Sequence, residues 1–166
     1  MKTSAVISDC GKYRYSLGRI WGDLEAPDSK GYAMFIGLNP STADATLDDP
    51  TIRRCVGFAK DWGYDGLQMA NLFAFRATDP KVMLKAVDPI GPDNDLALTT
   101  LAMGSAVVVA AWGTHGVYMG RDIQVKEMFP NLHYLKLTVA GHPSHPLYLP
   151  KTLTPIPYHA QVSTMP

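Results

Sequence analysis

Two asparagines and three histidines fall where apolar runs of the chain give out into polar residues. Asn39 follows the run from Tyr32 to Ile36 and the glycine Gly37, with Pro40 and Ser41 next in line. Asn71 interrupts the run GLQMANLF, and Arg76 follows five residues later. His115 closes Trp112-Gly113-Thr114-His115, and His142 and His145 punctuate GHPSH. A side-chain amide presents donors and an acceptor side by side, so it can read a nucleobase edge or hold a water. Histidine can donate to an oxygen on which charge develops, or carry a proton. Amides and imidazoles together suit recognition of a polar ring and chemistry at its bond.

Other chemistries lack their residues. The chain holds no G-x-S-x-G nucleophile turn, no GxxxxGK[ST] phosphate loop and no GxGxxG. His142 and His145 have a spacing that metal ligands use, but prolines surround them and no carboxylate completes a set, so no metal is expected. Asp44, Asp48 and Asp49 read as turn and cap groups. Arg53 and Arg54 stand in the first turn of a predicted helix, where cations oppose the macrodipole. Either they pair with Asp48 or Asp49 in a solvated cluster, or one of them joins Arg76 in meeting a phosphate or another anion at the rim.

These residues need a frame. Four apolar runs read as strands: Ala33–Leu38, Gly66–Phe73, Ala106–Trp112 and Leu132–Val139. The second and third are nearly continuous, as in parallel strands buried on both faces. Asp49-Pro50-Thr51 is an N-cap followed by proline, and Ile52, Val56, Ala59 and Trp62 recur at helical spacing before Gly63. A second helix is expected from Pro92-Asp93 onward, and a third over Gly120 to Met128. Tyr13 to Leu17 alternates weakly and suggests a hairpin or edge strand. Alternating strands and helices imply an α/β fold, a three-layer α/β/α sandwich on a mainly parallel four-stranded sheet. In such sheets ligands bind outside the carboxyl ends of the strands, and all four runs end in the polar residues above.

Composition narrows the function classes. The 166 residues, 46% hydrophobic and 18% charged, suit one globular domain over 1–166, with a core near 13–150 and a tail at 151–166. Formal net charge is zero, so nucleic-acid binding would rest on a local patch rather than a global field. Two separated cysteines, Cys10 and Cys55, suit a reducing compartment. The first residues lack the apolar core of a signal peptide, and the longest apolar run is too short for a membrane span. The expectation is a cytoplasmic protein with no membrane association.

The segments RYSLGRIW, GLNPSTAD, DDPTIRRC, WGYDGL, NLFAFRATDP, GPDND, AAWGTHG and HPLYL occur in that order. Together they resemble the bacterial and phage family called domain of unknown function 1643, over roughly residues 13 to 150. A more distant likeness runs to the uracil-DNA glycosylase superfamily. Gly37-Leu38-Asn39-Pro40 resembles its first motif, and Asn71 with Arg76 resembles a strand-end N-x-x-x-x-R whose asparagine reads a pyrimidine. Ala110 to Gly113, including Trp112, resembles the strand leading to a third loop, and His142-Pro143-Ser144 resembles the final HPS motif.

That resemblance implies a glycosylase-like fold and a set of roles. Asn39 would position a water, Asn71 would hold the base, and His142 or His145 would stabilise the leaving pyrimidine, with the closer family's HPLY favouring His145. Leu147 would enter the emptied stack. Gly37, Pro40, Ser41, Arg53, Arg54, Arg76, Trp112 and His115 would line the substrate. No iron–sulfur cysteines occur, so no cofactor is expected. Two functions follow as expectations: hydrolysis of an N-glycosidic bond in nucleic acid or a nucleotide, or noncatalytic binding of a nucleobase, nucleotide or nucleic acid.

Overall fold

A computed structural model describes residues 1–41 and 43–158. Seven strands form one sheet: β1 (Lys2–Ile7), β2 (Arg14–Ile20), β3 (Tyr32–Gly37), β4 (Gly66–Asn71), β5 (Ser105–Ala110), β6 (Leu132–Tyr134) and β7 (Ile156–Pro157). Their order is β1-β2-β4-β3-β5-β6-β7. The four strands β4, β3, β5 and β6 are parallel, and β2 and β7 join them antiparallel on either side. The apolar runs explain the parallel centre. Ala33 to Ile36 and Val109 are fully buried, as expected for strands covered on both faces.

Four helices connect the strands: α1 (Pro50–Asp61), α2 (Pro80–Leu84), α3 (Asn94–Gly104) and α4 (Arg121–Met128). Helix α1 starts where its sequence dictates, with Asp49 accepting from the Ile52 amide at 2.8 Å and Pro50 in the first turn. A cap of this kind stabilises a helix by about 1 kcal/mol. Its buried residues Ile52, Cys55, Phe58 and Ala59 meet Phe35, Leu67 and Met69 on one sheet face. Met83, Leu98 and Val125 from the other three helices meet Met34, Ile36 and Val108 on the opposite face. Side chains alternate along each strand, so odd-numbered residues of β3 and β4 face α1 and even-numbered ones face the other layer.

The expected four-stranded sheet is therefore corrected to seven strands. Of the run from Tyr13 to Leu17, Tyr13 makes an isolated bridge to Phe75 and the rest belongs to β2, which forms a hairpin with β1, a strand whose side chains are mostly exposed and which main-chain pairing holds. The fourth strand ends at Tyr134, and the chain beyond it turns back so that Leu137 bridges Pro143. Residues 156–157 of the expected tail pair with β6, while residues 159–166 of it lie outside the described residues. Strand β3 lies between β4 and β5, so the chain leaves it first to one side and then to the other. A crevice at the carboxyl end of such a strand is the favoured ligand position of a parallel sheet.

Candidate functional site

A cavity of about 200 Å³ opens at that position. Gly37, Met69, Asn71 and Ala111 form its floor at the ends of the central strands. Leu38, Asn39 and Ser41 from the β3–α1 loop, with Asp49 and Thr51 at the start of α1, form one wall. Ala77, Thr78 and Pro80 close the other, Arg14 enters from β2, and His145 lies on the chain beyond β6. Larger hollows exist, among them one of about 620 Å³ between β1 and α3. Chemistry rather than size distinguishes the strand-end cavity.

Asn71 is 3% exposed, and its side-chain nitrogen is buried with no hydrogen-bond partner among the described residues. Leaving such a donor unsatisfied costs about 1–3 kcal/mol, and native structures do so rarely. The residue is held from behind. Asn94, fully buried, donates to Asn71 O at 2.9 Å and Leu72 O at 3.0 Å, and Arg121 Nε donates to Leu72 O at 2.9 Å. The end of β4 is thus clamped, and its terminal residue lines the cavity. Gly37, paired with Asn71 across β3 and β4, has no side chain to occupy that space.

Asn39 is engaged differently. Its amide nitrogen donates to Ala77 O at 2.8 Å and to Pro40 O at 3.2 Å, tying the two walls together. Both donors are spent, which leaves Oδ1 as an acceptor. It can hold a water through that oxygen but cannot take a proton from it.

Three titratable groups share the cavity. Arg14 is 2% exposed, and burial holds its guanidinium down to about 10 against the opposing pull of Asp49. Its Nη1 donates to Ala43 O at 2.6 Å, and its Nε has no partner among the described residues. Asp49 spends Oδ1 on the cap of α1. His145 lies at the exposed mouth, where partial desolvation keeps its imidazole below the ordinary histidine value while Asp49 acts the other way. Its Nδ1 accepts the Leu147 amide at 3.3 Å. Neutral His145 therefore carries its proton on Nε2.

The cavity brings together Gly37, Asn39, Ser41, Asn71 and His145 from the expected set, and not the others. Trp112 is corrected to a core residue, 2% exposed on the face opposite the cavity, because strand alternation points Ala111 inward and Trp112 away. His115 is exposed in a 3-10 segment, Thr114–Gly120. His142 belongs to a turn in which its amide donates to Thr138 Oγ1 at 3.1 Å, and it does not line the cavity. Of the two candidate histidines, only His145 does.

Arg76 reaches Gly11 O at 3.4 Å in the β1–β2 turn, and Pro40 is buried with its carbonyl turned to Asn39 and Ala77. Leu147 lies in the 3-10 turn Pro146–Tyr148, which packs on α1. Among the described residues, Arg53 and Arg54 form no ion pair with Asp48 or Asp49, although Arg53 donates to Asp48 O at 3.5 Å. Asp48 pairs instead with Arg19 at 2.8 Å. Arg54 donates to Leu149 O and lies over the Phe58 ring, and both arginines border a separate hollow with Lys151 on the flank of α1. Among the described residues, no three His, Cys, Asp or Glu side chains gather to hold a metal, and no helix is long and apolar enough to cross a membrane.

Sequence reasoning missed Arg14 and the double placement of Asp49. The signal for Arg14 was an arginine opening the weakly alternating run Tyr13 to Leu17. Among known proteins, a family model described as a protein of unknown function (DUF1643) matches residues 14–147. No curated protein and no solved structure matches the chain.

Proposed function

Taking as premise that this chain belongs to the DUF1643 family of proteins of unknown function, we propose that its strand-end cavity binds a single pyrimidine-type nucleobase. The base is free or carried by a nucleotide or nucleic acid. One observation carries this reading: the buried amide nitrogen of Asn71, without a hydrogen-bond partner among the described residues, on a side chain at the floor of the cavity. A primary amide pairs a donor with an acceptor, and the adjoining N–H and C=O of a pyrimidine edge answer both. A cavity near 200 Å³ lies below the range that holds drug-sized ligands, which suits one ring. The likeness of the GLNP and N-x-x-x-x-R segments to glycosylase motifs supports the same assignment.

N-glycosidic hydrolysis is the second reading, favoured by the presence of Asn39, Asp49 and His145 around the same space. In it, a water held on Asn39 Oδ1 attacks the anomeric carbon, and the carbon–nitrogen bond breaks with its electron pair leaving on the base. The water's proton passes to Asp49, and the departing base, its developing charge met by the Nε2–H of His145, takes up one proton from solvent. Cavities that only bind a base need no such proton acceptor. General acid–base assistance contributes roughly a hundred- to ten-thousand-fold.

Titration of uracil, cytosine and their nucleosides against labelled protein, followed by amide chemical shifts, tests the binding reading. Shifts centred on Gly37, Asn71 and Thr78 are expected, and their loss in Asn71→Leu. Saturable binding that survives Asn71→Leu would place the ligand elsewhere. Release of base from single- and double-stranded oligonucleotides carrying uracil, with free nucleotides alongside, decides between binding and hydrolysis.

A further inference from the structure

Three arginines of the described chain are essentially excluded from water: Arg14 at 2%, Arg19 at 1% and Arg121 at 0% exposure. An arginine at such depth is ordinarily neutralised, because an uncompensated buried charge is strongly destabilising. Two of them obey this. Arg19 meets Asp48 at 2.8 Å and also donates to Gly18 O and Asp44 O. Arg121 meets Asp95 at 2.5 Å, Gln124 Oε1 at 2.6 Å and Leu72 O. Arg14 has no carboxylate within 4.0 Å among the described residues, and it is the one of the three that lines the strand-end cavity.

The contrast between Arg14 and Arg19 is internal to one strand. Both leave β2 toward the same 43–48 loop, where Arg19 finds a carboxylate and Arg14 finds a carbonyl, Ala43 O, at 2.6 Å. Its Nε remains unpartnered. Asp49 also borders the cavity, but its Oδ1 caps Ile52 N, and the positive end of α1 answers its charge. The cap carboxylate thus answers the helix end, and the guanidinium, with only a carbonyl in hydrogen-bond reach, is the group of this space that favours an oxyanion.

We propose that Arg14 forms an oxyanion subsite within the cavity, so that the ligand carries a phosphate or carboxylate beside the ring read by Asn71. This rests on the base-binding reading above, and it names the charge class of the ligand. The guanidinium supplies the fork, Asn71 the ring contact, and a bound anion the direct partner that Asp49, acting on Arg14 from beyond ion-pair distance, does not supply. The oxyanion comes either from the phosphate of a nucleotide or from a carboxylate on the ring itself.

Calorimetry with two matched pairs separates these sources: uridine against uridine monophosphate, and uracil against orotate, a uracil ring bearing a carboxylate. Inorganic phosphate is the control probe. At least one anionic member is expected to bind tenfold or more tightly than its neutral partner. Arg14→Gln should erase that preference, read as the ratio of the two affinities within a pair, and the pair that shows it identifies the source. Equal affinity within both pairs, or a preference that survives Arg14→Gln, overturns the subsite. Should Arg14→Gln fail to fold, the wild-type pairs decide, together with Arg14→Lys, which keeps the charge but loses the fork and should weaken the preference. The two ideas fail separately. If phosphate binds in an Arg14-dependent way but neither neutral ring binds, the base reading falls and the oxyanion subsite stands.

Discussion

Gly37 and Asn71 face each other at the carboxyl ends of β3 and β4, and a Cβ built on Gly37 would lie 2.9 Å from Asn71 Oδ1. It would also lie 3.0 Å from the Met69 methyl. The glycine therefore shapes the seat of the amide rather than a turn. Gly37→Ala should push the Asn71 amide out of place and destabilise the protein by about 1–3 kcal/mol through overpacking. Nucleobase affinity should fall at least tenfold, beyond what the stability change accounts for. Thermal melts and base titrations on the same variant check both, and unchanged affinity would separate Gly37 from the site.

Asn71 itself should trade stability against binding. Its buried nitrogen lacks a partner, so an apolar side chain of similar shape removes a penalty of about 1–3 kcal/mol. Asn71→Leu is expected to melt at the same temperature or higher, and to lose base binding altogether. A markedly lower melting temperature would mean that the amide serves the fold and not a ligand.

His145 gives the site a pH signature. Its folded-state value lies below the ordinary 6.5. The unfolded chain therefore takes up the proton more readily. The associated stability is fully present above about pH 6.5 and is lost as pH falls through the lower folded-state value. Protonation would also break the bond from Leu147 N to Nδ1. Base binding that uses neutral His145 should accordingly hold steady from pH 8 to 6.5 and weaken in more acid solution. A histidine NMR titration fixes the midpoint, and His145→Gln should flatten that part of the stability curve. A midpoint above 6.5 contradicts the placement.

Much of the frame was legible because the parallel centre is written as apolar runs. Ala33–Leu38, Gly66–Phe73 and Ala106–Trp112 give β3, β4 and β5 to within a few residues, and Asp49-Pro50 fixes the start of α1. The edges were less legible, since β1 and β7 bury little and are held by main-chain bonds that no side-chain pattern records. Asn71 stood out as an amide inside an apolar run. Arg14 did not, because its burial depends on a loop more than two dozen residues away, folding over it through Ala43 O. Trp112 shows a different limit: its neighbour Ala111 reaches the cavity, and a one-residue step along a strand changes the face.

Asn39 is where structure most alters the expected chemistry. By the resemblance, its amide would serve to place a water, and on chemical grounds alone an aspartate there could go further and accept a proton. The observed amide instead donates to Ala77 O and Pro40 O. An ionised carboxylate at that position would set negative oxygen against both carbonyls and remove one link between the cavity walls, leaving the Ala77 amide on Pro40 O. Asn39→Ala, which loses the two bonds, should cost about 1–2 kcal/mol. Asn39→Asp should cost more than Asn39→Ala at neutral pH and recover part of the difference in acid, where the carboxyl group is protonated and can donate again. Denaturant melts of both variants at pH 4.5 and 7.5 check the order. Any base-releasing activity should fall in Asn39→Asp rather than rise. An aspartate variant as stable as wild type and more active would show that Oδ1, and not the amide nitrogen, is what the site requires.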